Sequence, residues 1–152
     1  MPSAVVDTTV LISGFITPEG VAAKLLRQGQ DGDFELCLSR EIIEELRSRL
    51  LHRRNIRKSY QYADERVHQH CRDLEAVSRL ITDVPQVRVV VRDPNDDMVI
   101  ACALKAGADY IVTRDKDLLS LGAYEGVRIV TPRQFLTLLG GSDAGSRPAS
   151  PT

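Results

Sequence analysis

The sequence predicts an α/β protein, a three-layer α/β/α sandwich around a mostly parallel sheet. Two observations carry that expectation: apolar runs of about four to six residues recur along the chain, and stretches with helical spacing alternate with them. Strands this short and apolar suit a parallel sheet covered on both faces by right-handed crossovers. With 152 residues, 43% hydrophobic and 27% charged, the composition matches one ordinary globular core. It argues against disorder, a fibrous class and two full domains.

In chain order, AVVD (4–7) reads as a first strand ending in an acid. Pro18 to Gln28 then reads as a helix opened by proline, with Val21, Ala22, Leu25 and Leu26 on one stripe. FELCLS (34–39) alternates as a strand does, and Ser39 is a good N-cap for EIIEELRSRLL, whose Ile42, Ile43, Leu46 and Leu50 form an apolar face. Residues 60–81 are expected to form an amphipathic helix through Val67, Leu74, Val77 and Leu80. RVVV (88–91) is a short extended piece, Asp93-Pro94 reads as N-cap and first helical residue, and MVIACALKAG reads as a buried helix closed by Gly107. DYIVT (109–113), a helical turn from Asp115 to Leu121, VRIV (127–130) and PRQFLTLL (132–139) complete the alternation. GSDAGSRPASPT has no apolar anchor, so the expected domain is 1–140 with a flexible tail over 141–152.

No run of 18 apolar residues occurs, and the N-terminus has no basic segment ahead of its apolar stretch. Membrane insertion and export are not expected. Three cysteines without CxxC spacing suit reduced core thiols in a cytoplasm. The net charge of −1 excludes a generally basic coat, although seven of the twenty Lys and Arg residues fall between Arg40 and Lys58.

The stretch RDPNDDMVIACALKAGADYIVTRDKDLL (92–119) sets five aspartates, Asp93, Asp96, Asp97, Asp115 and Asp117, on the flanks of an apolar segment. Several have a structural duty available. Asp93 precedes a helix-opening proline, Asp96 and Asp97 suit the positive end of a helix dipole, and Asp115 and Asp117 can cap the next turn. Helical spacing does not separate Asp96 from Asp97, because the helix is apolar on every side. Asp7 has no such duty at the inner end of a core strand. Ligand sites in these sheets lie at the carboxyl ends of the strands, where Asp7 and Asp115 are expected. Crowded carboxylates resist joint ionisation unless a cation joins them, and oxygen donors without His or Cys select Mg²⁺ or Mn²⁺.

Four segments together resemble the PIN-domain ribonucleases, and more narrowly the bacterial PIN-family toxins of toxin–antitoxin systems related to VapC. They are VVDTTVLISG (5–14), LSREIIEELRSRL (38–50), DPNDDMVIACALKAGADYIVTRDKDLL (93–119) and VRIVTPRQFL (127–136). The resemblance implies metal-binding acids at Asp7, Glu45, Asp97 and Asp115, with Asp117 auxiliary; Glu44 competes with Glu45. It also implies Mg²⁺- or Mn²⁺-dependent hydrolysis of single-stranded RNA by an activated water, leaving a 3′-hydroxyl and a 5′-phosphate. Thr9 stands where the family usually has Asn, while Thr8 keeps the expected hydroxyl. Thr8, Thr9 and Arg114 are the candidate substrate contacts.

Arg47, Arg49, Arg53, Arg54, Arg57 and Lys58 form a candidate track for a phosphate backbone, or a surface for a protein antitoxin. The resemblance also implies a homodimer. Two rivals remain, one a binding module and one another enzyme. A PIN-fold RNA-binding module with weakened catalysis finds support in Thr9. A haloacid-dehalogenase-like phosphatase finds support in DPNDDMVIACALKAGA but lacks the D-x-D pair, since Thr9 lies two after Asp7.

Overall fold

The computed structural model describes residues 1–87 and 94–140. The expected strand at 88–91, the Asp93 cap and the tail over 141–152 lie outside the described residues. A six-stranded sheet in the order β3-β2-β1-β4-β6-β5 forms the centre, built from β1 (Ser3–Val6), β2 (Glu35–Ser39), β3 (Arg79–Ile81), β4 (Tyr110–Val112), β5 (Ala123–Tyr124) and β6 (Val127–Val130). Every pairing is parallel except β5 with β6. The chain runs outward from β1 through β2 to β3 and then returns to β4 on the other side of β1. That reversal opens a crevice at the carboxyl ends of β1 and β4.

Helices α1 (Thr8–Ile16), α2 (Val21–Gln30), α3 (Arg40–His52), α4 (Arg54–Ser59) and α5 (Asp64–Val77) fill the first two crossovers. α6 (Pro94–Ala106) lies across β1, β2, β3 and β4, and α7 (Lys116–Leu121) and α8 (Pro132–Leu138) follow β4 and β6. Right-handed crossovers put the α1–α5 group and α6 on opposite faces, giving the three-layer α/β/α sandwich. One continuous core joins Val5 and Val6 of β1, Leu36 and Leu38 of β2, Ile111 and Val112 of β4, and the buried faces of α3 and α6. Among the described residues no single helix is long and apolar enough to cross a membrane.

Three elements depart from the sequence expectation. α1 begins directly after Asp7, in a stretch rich in β-branched residues that favour extended backbone. Tertiary packing overrides that preference: α1 lies so close to α2 that a side chain at Gly14 would meet Leu26 Cδ1 at 2.5 Å. The helix expected over 60–81 is α5 alone, with Val67, Cys71 and Leu74 buried, and it stops before β3. Leu80, in phase with Val77 as if helical, belongs to that strand, and Val77 is exposed. β5 is a two-residue edge strand too short to leave a sequence pattern. Where capping chemistry was explicit the local structure follows it: Ser39 Oγ accepts from Ile42 N at 3.2 Å, and Gly107 takes a left-handed φ of 64° after α6.

Candidate active site

Asp7 directly follows β1 and is the N-cap residue of α1, with its backbone N–H donating to Val112 O of β4 at 2.9 Å. Only 4% of its surface is exposed. The fully buried Thr113 donates its hydroxyl to Asp7 Oδ2 at 2.7 Å and accepts from the Asp115 backbone N–H at 2.9 Å. One threonine thus ties the acid of the first strand to the acid after the fourth. Burial pushes the Asp7 pKa above the ordinary aspartate value. Hydrogen bonds from Thr113 and the Thr8 amide oppose the rise, the Asp115 charge adds to it, and Arg49 pulls against it.

Asp115 caps α7, its Oδ1 accepting from Leu118 N at 3.0 Å, and Asp117 follows in the first turn. One carboxylate oxygen from each of Asp96, Asp115 and Asp117 lies within 4.8 Å of the others. At an effective dielectric of about 20, each fully ionised pair at such a spacing repels by roughly 3 kcal/mol before screening. An all-carboxylate donor set under that repulsion fits a hard divalent cation.

Asp96, rather than Asp97, is the α6 acid that joins this cluster. Asp96 is 2% exposed and in phase with the buried Val99, Ile100 and Ala103. Asp97, one residue and about 100° further round the helix, lines a largely apolar cavity of about 750 Å³ with Ser39, Glu41, Val84 and Met98. The phase with Val99, Ile100 and Ala103 was the signal available in the sequence, and it is weak because Ala101 and Cys102 are apolar too.

Glu45 of α3 approaches from the opposite layer. Its Oε2 accepts from Arg49 Nε at 2.6 Å and from Asn95 Nδ2 of α6 at 3.5 Å, so α3 and α6 meet over the sheet end through it. Glu44 points outward, with 59% of its side chain exposed, and pairs with Arg47. Of the candidate substrate contacts, Thr9 is exposed and its hydroxyl donates to Asp7 Oδ2 at 3.4 Å. Thr8 has its hydroxyl buried without a hydrogen-bond partner among the described residues. Arg114 is exposed and its Nη1 donates to Ser13 Oγ at 3.0 Å.

The six residues of the basic track differ in their surroundings. Arg57 donates Nη1 to Leu51 O and Asp64 Oδ1 and Nη2 to Tyr62 O, which clamps α4 between α3 and α5. Arg53, Arg54 and Lys58 remain exposed. In the sequence Thr113 stands out only as the last residue of DYIVT, although a hydroxyl two residues before an acid is the spacing of a side chain that hydrogen-bonds the backbone two residues on.

The sequence profile of the PIN domain matches residues 3–117. The chain belongs to the PIN-domain family. Among solved structures, this PIN domain is similar to a chain in the crystal structure of VapBC2 from Rickettsia felis bound to a DNA fragment from their promoter. That likeness has a TM-score of 0.56 at 11% identity and covers 84% of this chain and 96% of the other. No curated protein matches the sequence. The match to the PIN profile spans the Asp7, Glu45, Asp96 and Asp115 positions and ends at Asp117.

Proposed function

We propose that this PIN domain is a divalent-metal-dependent endoribonuclease cutting single-stranded RNA in the cytoplasm, and that it is the toxin of a type II toxin–antitoxin pair. The observation that carries the reading is the convergence of Asp96, Asp115 and Asp117 at the sheet mouth, with Asp7 coupled to them through Thr113. Asp7, Asp96, Asp115 and Asp117 would hold Mg²⁺ or Mn²⁺, and Glu45 stands at the edge of the same mouth. A bound cation supplies charge neutralisation at the phosphate and lowers the pKa of water. Thr113 fixes the direction of the Asp7 carboxylate, Asn95 and Arg49 hold Glu45, and Thr9 keeps a hydroxyl on Asp7 although it lacks an amide. Arg114 stands exposed beside the cluster, within reach of an RNA backbone.

The likeness to VapBC2, crystallised with DNA from its own promoter, supports an antitoxin partner for this chain. A homodimer is part of the same proposal. Incubation of the chain with end-labelled single-stranded RNA and Mn²⁺ tests the activity. Cleavage that leaves a 5′-phosphate, stops with chelator and disappears in D115N is expected. RNA binding with no cleavage at any Mn²⁺ or Mg²⁺ concentration replaces the nuclease by a binding module. Turnover of a small phosphomonoester in place of RNA points to a phosphatase.

A further inference from the structure

Arg49 is a cation set among the acids of the mouth. It stands one turn beyond Glu45 on α3, its Nε donates to Glu45 Oε2 at 2.6 Å, and 12% of its side chain is exposed. Its charge also reaches Asp7, slightly opposing the rise of that acid's pKa, and Glu45 links it to Asn95 beside Asp96 on α6. A guanidinium carries five N–H donors, and among the described residues the Arg49 hydrogen bond uses Nε alone. Neither terminal nitrogen is among the buried polar atoms lacking a partner, so each keeps some contact with solvent. A guanidinium anchored through Nε, whose terminal nitrogens have no hydrogen-bond partner among the described residues, can offer them to two oxygens of a phosphate. Neighbouring arginines are committed elsewhere: Arg47 to Glu44 on the outer face, and Arg57 to Leu51, Asp64 and Tyr62.

We infer that Arg49 is a phosphate-binding residue of this site, offering its two terminal nitrogens to the non-bridging oxygens of an RNA phosphate drawn against the acidic cluster. The inference rests on the nuclease reading above and adds to it the group that lets an acid-rich mouth receive a polyanion. Local positive charge inside a negative crevice is what that encounter requires.

The test is fluorescence anisotropy of labelled single-stranded RNA with the full chain carrying D115N, so that bound RNA stays intact, between about 50 and 200 mM salt. R49Q in that background is expected to weaken binding about tenfold and to reduce the salt slope by about one unit. R49K, which keeps the charge and loses the fork, should fall between. E45Q should bind as well or better, because it removes a negative charge from the RNA's path. Unchanged affinity and slope in R49Q overturns the inference. So does an equal loss in R49Q and E45Q, since Arg49 would then act only by holding Glu45. Thermal melts of each variant confirm that it is folded, and R49K serves if R49Q is not. Because the binding measurement needs no turnover, a wild type that binds RNA without cutting it overturns the nuclease reading alone, and an R49Q that binds normally overturns this inference alone.

Discussion

Glu44 and Glu45 are neighbours on α3, as Asp96 and Asp97 are on α6, yet Glu44 is turned to solvent where Glu45 is largely covered, and Asp96 joins the acidic cluster where Asp97 lines a neighbouring cavity. Outward, Glu44 meets Arg47 in solvent, where an ion pair is worth about 0–1 kcal/mol and salt screens it. Inward, Glu45 meets Arg49 and Asn95 in a crevice shared with Asp7. Asp97 borders a largely apolar cavity, whereas Asp96 lies beside Asp115 and Asp117. Identical side chains one position apart therefore have different chemistry, and the cause is the 100° turn of a helix per residue.

The largest expected effect sharpens this contrast. D96N should reduce RNA cleavage by about 100-fold or more, the upper end of losses seen when a metal site is disturbed, while D97N stays within about threefold; a reversed order in a cleavage assay would return the ligand role to Asp97. D7N should abolish cleavage to a similar degree and, unlike D96N, reveal a pH signature. Burial raises the Asp7 pKa, so the stability linked to its proton is complete below the ordinary aspartate value of about 4. It is lost as pH rises through the raised value. D7N should accordingly melt higher than the wild type at neutral pH in chelator, with the gap closing as pH falls. Mn²⁺ should raise the melting temperature of the wild type and leave that of D7N unmoved.

Next comes T113V, which strands the Asp7 carboxylate and the Asp115 amide without their shared hydroxyl. Urea unfolding should show a loss of about 1–3 kcal/mol, with T113S recovering most of it. E45Q should lower cleavage by about tenfold, the scale expected where a charge beside a metal site is disturbed, if the proposed metal site is the one at work. E44Q should be the smallest effect, within about twofold in cleavage and below about 1 kcal/mol in stability. Equal losses in E44Q and E45Q would erase the distinction between the two faces of α3.

Much of the architecture was legible because local signals agreed with it. The Ser39 cap, the stripe of Ile42, Ile43, Leu46 and Leu50, and Gly107 after α6 are all local chemistry. α1 was not legible, since its residues favour extended backbone and only packing against α2 makes a helix the better solution. β3 was hidden for a related reason: three residues continue the spacing of α5, and pairing with β2 decides their conformation.

The acid after β1, the acids that follow β4 and the acidic pair opening α6 were set by the sequence alone, because strand ends and helix starts are fixed by short-range patterns of polarity and capping. Which member of each acidic pair enters the mouth, the hydroxyl of Thr113 between Asp7 and Asp115, and the guanidinium of Arg49 beside Glu45 were decided only in three dimensions. Those relations join residues up to 106 positions apart, and they depend on the rotation of each helix about its own axis, which the packing of its buried face against the sheet determines.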